Sequence, residues 1–165
     1  LTLAEQNPTL AAFYHGWGNY QNQLVKAVTP LTEAQLALTV ASQQRSMRDL
    51  VLHIIATRVS WFHNVADFGS PDLAPMAAWD LPGAGPFTTK DIVAGLETSW
   101  RLMMEALAAW TPQELQTPFT VQGRTREHTY TRQWIVWHVI EHDLHHGGEL
   151  SFALGIHGLI GIDLD

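Results

Sequence analysis

The chain contains no cysteine. Disulfides, thiolate metal ligands and a cysteine nucleophile are therefore excluded. Positive charge is scarce as well: nine Lys and Arg stand against sixteen Asp and Glu, for a formal net charge of -7. That balance gives no electrostatic footprint for a phosphate backbone or an anionic membrane, so no nucleic-acid partner is expected. No window approaches the ~20 apolar residues that a membrane span needs. The first residues, LTLAEQNPTL, also lack a basic stretch followed by an apolar one, and the expectation is a cytoplasmic enzyme with no membrane association. Internal repeats and low-complexity tracts are absent too.

What is present suits a compact domain. Apolar residues make up 46% of the chain and charged residues 15%, enough to bury a substantial core, and one domain over residues 1–165 is expected. Four long segments carry helical periodicity. In the first, about Pro8 to Val28, the residues Phe13, Trp17, Tyr20, Leu24 and Val28 recur at three- and four-residue steps before Thr29-Pro30 ends the pattern. A short helical turn follows at Thr32 to Leu36. The second begins at the cap Ser46, with Asp49 in its first turn, and runs to Gly69. Four prolines between Gly69 and Thr89 argue for an ordered connection, and loops of that length often serve function.

Thr88 or Thr89 caps the third long helix, which reaches about Trp110 with Ile92, Leu96, Trp100, Met103, Met104 and Leu107 inward. Thr111-Pro112-Gln-Glu114 starts a brief helix. Between Thr117 and Thr131 β-branched and aromatic residues flank a Gln-Gly turn, predicting a short hairpin, and the last helix covers about Arg132 to Leu154. Four long helices with one long crossover read as an all-α four-helix bundle, an architecture that builds metal and cofactor sites from facing helices.

Histidine is abundant where cysteine is missing: there are nine, and His138, His142, His145 and His146 crowd the sequence WHVIEHDLHHGGEL. Helical residues four apart lie about 40° apart around the axis and roughly 6 Å along it, so two such imidazoles can converge on one ion. The pairs His138/His142 and His142/His146 both qualify. His138 and His146 are about 12 Å apart along the axis, too far for both to reach one ion through bonds of roughly 2 Å. His145 points about 100° away from its neighbour and falls outside either pair. On its own segment His53 reads as an ordinary half-buried core histidine. The run His138-Val-Ile-Glu141-His142 also fits H-x-x-E-H, an inverted zinc-protease signature with Glu141 as general base, but a five-residue match in a histidine-rich helix is weakly specific.

With His53 in SMRDLVLHIIA and His142 and His146 in HVIEHDLHHGGEL, the chain resembles the DinB/YfiT-like metalloenzymes, whose pattern is a histidine early in the second helix and an H-x3-H pair in the last. The resemblance covers essentially the whole chain and includes the Leu31–Leu36 segment and the long connection after the second helix. It implies an up-down-down-up four-helix bundle, commonly dimeric, in which His53, His142 and His146 hold a divalent ion, nickel or zinc with iron or manganese as further options. It thereby selects His142/His146 over His138/His142. The family often has Arg-Gly-Gln after the last ligand, whereas this chain has Gly147-Gly148-Glu149; Glu149 is a candidate to orient an imidazole.

Three neutral imidazoles leave coordination positions vacant, the arrangement of catalytic rather than structural sites. A bound ion can lower the pKa of water or of an incoming thiol and so supply a nucleophile without an enzyme cysteine. Within the resembling family the implied activity is that of a transferase or isomerase using a low-molecular-weight thiol such as bacillithiol or mycothiol. The alternatives are a metal-dependent hydrolase, with Glu149 or Glu141 moving protons, and a metal-binding, stress-associated protein without turnover. His138 is a further candidate for a role beside the ligands. Trp61, Trp134 and Trp137 are candidates to line a substrate pocket, and Arg124, Arg126 and Arg132 to receive a carboxylate if the hairpin covers the site. Helices bearing Trp17 and Trp100 leave surface for a homodimer.

Overall fold

A computed structural model describes residues 8–123 and 125–164. Four long helices dominate: α1 (Pro8–Val28), α3 (Met47–Val59), α4 (Thr89–Ala109) and α6 (Arg132–Ile156). The short helices α2 (Glu33–Leu36) and α5 (Pro112–Gln116) and a hairpin of β1 (Pro118–Gln122) and β2 (Glu127–Thr131) complete the regular structure. The hairpin is antiparallel, with Pro118 opposite Thr131 and Gln122 opposite Glu127. No helix among the described residues is long and apolar enough to cross a membrane.

Local chemistry fixes where the helices begin. Ser46 accepts from the Asp49 backbone N–H while Asp49 accepts from the Ser46 N–H, a reciprocal cap repeated by Thr88 with Asp91 and by Thr111 with Glu114. Thr88, rather than Thr89, is thus the cap of α4. Thr131 accepts from the Trp134 N–H and starts α6 directly where β2 ends.

The core centres on α3, which packs against α6, α4 and the connection that follows it. Because it has neighbours on several sides, it is apolar around most of its circumference: Leu50, Val51, Leu52, Ile54, Ile55 and Val59 are all buried. Inside this core lies a polar knot. Arg58 and Asp143 are both fully buried and paired, Arg58 donating from Nε and Nη2 to the Asp143 carboxylate at 2.7–3.0 Å. Trp17 Nε1 donates to the same carboxylate at 2.8 Å, and Arg58 Nη1 donates to Gln21 Oε1 at 2.7 Å and Ser99 Oγ at 3.5 Å. One guanidinium and one carboxylate therefore tie α1, α3, α4 and α6 together, with donors and acceptors matched as burial requires.

Several sequence expectations need correction. The second long helix does not run as a regular α-helix to Gly69: from Ser60 to Val65 it widens into a π-helical turn. The wider turn re-phases its side chains, so that Phe62 is buried and stacks on Trp110 at 5.4 Å while Trp61 reaches the rings of β2 and α6. The connection to α4 contains a 3-10 stretch, Pro71–Ala78. Phe13, expected on the inner face of α1, is 63% exposed. Trp17 is buried and meets the half-buried Trp100 edge-on at 5.3 Å.

Candidate metal centre

α3 and α6 bring three histidines together. His142 and His146, one turn apart on α6, have ring centroids 4.4 Å from each other, and each lies 4.8 Å from the ring of His53 on α3. Each ring contributes a nitrogen, and the three ligand atoms lie within 4.8 Å of one another, a group that could hold a metal ion. All three residues are half-buried.

Two of the rings are oriented from behind. His53 Nδ1 donates to Asp80 Oδ2 at 2.6 Å, and His146 Nδ1 donates to Glu149 Oε2 at 2.6 Å. An ionised carboxylate can only accept, so Nδ1 of each imidazole carries a proton, and in the neutral form Nε2 keeps its lone pair. His142 Nε2 stands 3.1 Å from His53 Nε2 and 3.2 Å from the Thr57 hydroxyl. Its Nδ1 is buried without a hydrogen-bond partner, so this ring lacks the outer acceptor that the other two have.

Burial, followed by the neighbouring imidazoles His146, His53 and His138 and then by Arg45, drives the pKa of His142 down to about 3. Burial also lowers that of His146, against the opposing pull of Glu149. Such rings are held neutral, the form in which imidazole is a ligand. The donor set fits a divalent ion of borderline softness, with two rings pre-aligned and the third kept neutral.

Asp80 reaches His53 from the connection between α3 and α4, and a glycine makes that approach possible. A Cβ on Gly95 of α4 would lie 2.6 Å from the Trp79 ring and 2.9 Å from Ile55, so only a bare backbone lets Trp79 seat here, immediately before Asp80. Neither Asp80 nor the Arg58–Asp143 pair is recognisable in the local sequence pattern, because each partner is distant along the chain. Glu149, three residues beyond His146, is within reach of helical spacing.

The other candidates are placed as follows. His138 stacks on Trp134 at 4.8 Å and meets Trp61 edge-on at 4.9 Å; among the described residues it belongs to no metal-capable group. Glu141, on the exposed side of α6, is 3.7 Å from His138 Nδ1, and among the described residues the H-x-x-E-H residues form no metal-capable group. His145 is exposed and joins His146 and Glu149 in a second group, in which Glu149 Oε1 lies 3.4 Å from His145 Nε2. Trp61 and Trp134 pack with Tyr130 and His138, whereas Trp137 is exposed. Arg132 turns to the Trp110 and Phe119 rings, Arg126 is exposed, and Arg124 lies outside the described residues.

Two solved structures share this fold. A DinB-like protein from Bacillus cereus ATCC 10987 superposes with a TM-score of 0.70 at 21% identity, covering 92% of this chain and 93% of its own. A protein assigned to the DinB family from Exiguobacterium sibiricum 255-15 gives 0.68 at 17% identity, covering 94% and 96%. Among curated proteins none matches. The family model that matches spans residues 6–160, almost the whole chain with all three clustered histidines inside it, and the chain belongs to the DinB family.

Proposed function

We propose that this chain is a divalent-metal-dependent enzyme, one up-down-down-up four-helix-bundle domain, in which His53, His142 and His146 hold nickel or zinc, or alternatively iron or manganese. Its reaction, on this reading, is the transfer of a small-molecule thiol to an electrophile, or a thiol-dependent isomerisation. The observation that carries it is the convergence of three imidazoles, two of them aligned by carboxylates, in a half-buried setting. Three protein ligands with positions left open suit catalysis. When bound, such an ion lowers the pKa of a thiol toward neutrality.

The chain's own residues set up that chemistry. Asp80 and Glu149 hold the Nδ1 protons of His53 and His146 and so direct their lone pairs, and burial keeps His142 neutral. Both of these carboxylates are committed to imidazoles, so neither is spare as the general base that activating a water would ask for, whereas a thiol acidified by the ion needs none. With no cysteine in the chain, the thiol is a co-substrate. A cytoplasmic homodimer completes the reading; exposed Phe13 and Leu144, bordering one groove between α1 and α6, supply apolar surface for a second copy.

Elemental analysis of untagged protein, beside a His142→Ala/His146→Ala double variant, is the test. Near-stoichiometric metal that is lost in the still-folded variant, with metal-dependent conjugation of 2-mercaptoethanol to monochlorobimane, is the expected result. Folded wild-type protein that is metal-free and takes up neither nickel nor zinc overturns the reading.

A further inference from the structure

Two cavities border residues of the candidate centre. One, of about 740 Å³, lies between residues 79–88 and the start of α3 and is bounded by Asp80, the partner of His53. The other, of about 510 Å³, is bounded by His146 and Glu149. Arg45 is the one residue that lines both.

The charges of the larger cavity are otherwise spoken for. Glu33 pairs with Arg48, which also donates to the Phe87 carbonyl. Asp49 accepts from Ser46 at the start of α3, and Asp80 accepts from His53. Arg45 is exposed and makes no hydrogen bond or ion pair among the described residues. An uncommitted guanidinium offers a planar fork of donors that matches a carboxylate in bidentate fashion. The same cavity has an apolar, flat wall: Trp79 and Phe87 stack with centroids 4.4 Å apart and planes 29° from parallel.

We propose that Arg45 anchors the carboxylate of a small organic acid whose apolar or aromatic body lies along Trp79 and Phe87, in the cavity bordered by Asp80, the partner of His53. The inference rests on the reading of those histidines as the reaction centre. A monoanion suits the cavity better than a phosphate dianion, because Asp49 and Asp80 also line it and repel added negative charge. The site therefore selects an acidic substrate by charge at one end and by shape along its body.

Phenylacetate is the probe, titrated into the full chain and followed by NMR at the Arg45 Nε–H and Trp79 Nε1–H signals. Saturable shifts are expected in wild type, with affinity about tenfold weaker in Arg45→Gln, the loss of one charge-assisted pair. Arg45→Lys retains part of the affinity, and the neutral isostere phenylacetamide does not discriminate wild type from Arg45→Gln. Equal phenylacetate affinity in wild type and Arg45→Gln, or phenylacetamide binding as tightly as phenylacetate, overturns the anchor. Arg45 is exposed and has no partner to lose among the described residues, so its variants keep the fold. Because the titration runs on metal-free protein, a failed anchor and a failed metal centre give separate signatures.

Discussion

Asp80 is a single carboxylate on the connection between two helices, yet it determines which nitrogen of His53 carries the proton. An asparagine there keeps the shape but removes the charge that favours Nδ1–H, and replacing such outer partners typically costs 10- to 100-fold in metal affinity. Asp80→Asn is therefore expected to weaken nickel or zinc binding by about one to two orders of magnitude, read by competition with a chromophoric chelator, at unchanged circular dichroism. Wild-type affinity in the folded variant would mean that His53 is not a ligand. Residue-level chemistry was only partly legible beforehand. His142, His146 and Glu149 sit at four- and three-residue steps on one helix, where spacing alone places them together. His53 drew attention through a family resemblance and otherwise looked like a core residue. Asp80 lies 27 residues from His53 in a stretch with no periodicity, and Thr57 and Arg45 carry no motif, so nothing local marked them.

Between elements, the contact of α1 with α6 is made by Tyr20 as well as by the Trp17–Asp143 hydrogen bond. The Tyr20 hydroxyl donates to the Leu144 carbonyl at 3.5 Å, and Gly147 leaves room for it, since a Cβ at 147 would overlap that hydroxyl. Burial, reinforced by the Asp143 charge and opposed by Arg58, raises the Tyr20 pKa to about 12, above the ordinary value of 10.0. The folded state thus prefers the neutral phenol. Its contribution is fully present below about pH 10 and is lost as pH rises toward about 12, because the unfolded chain gives up that proton first. Urea unfolding across this range should show wild type losing stability that Tyr20→Phe does not lose. Parallel losses in the two proteins would show that Tyr20 ionises as freely folded as unfolded. Helix positions were legible because caps and apolar periodicity are local, as at Ser46 with Asp49 and Thr88 with Asp91. The partnership of Arg58 with Asp143 spans 85 residues, and the π turn at Ser60–Val65 sets Trp61 and Phe62 against rings distant along the chain; neither leaves a local signature.

For the molecule as a whole, the candidate centre is a clasp between α3, which supplies His53, and α6, which supplies His142 and His146. An ion that binds the folded chain and not the unfolded one adds stability by mass action, about 2.7 kcal/mol when its free concentration is one hundred times Kd. At this chain length each kcal/mol shifts Tm by about 2–4 °C, so saturating nickel or zinc should raise Tm by roughly 5–11 °C, and a chelator should reverse the rise. The control that locates the effect is His53→Ala. His53 belongs to the three-histidine group but not to the neighbouring group of His145, His146 and Glu149, so its loss separates the two. A shift abolished in His53→Ala places the ion between α3 and α6, where it joins elements far apart in the chain. A shift that survives in full places it on α6 alone, where residues already held in one helix gain little from being joined, and the clasp would have to be abandoned.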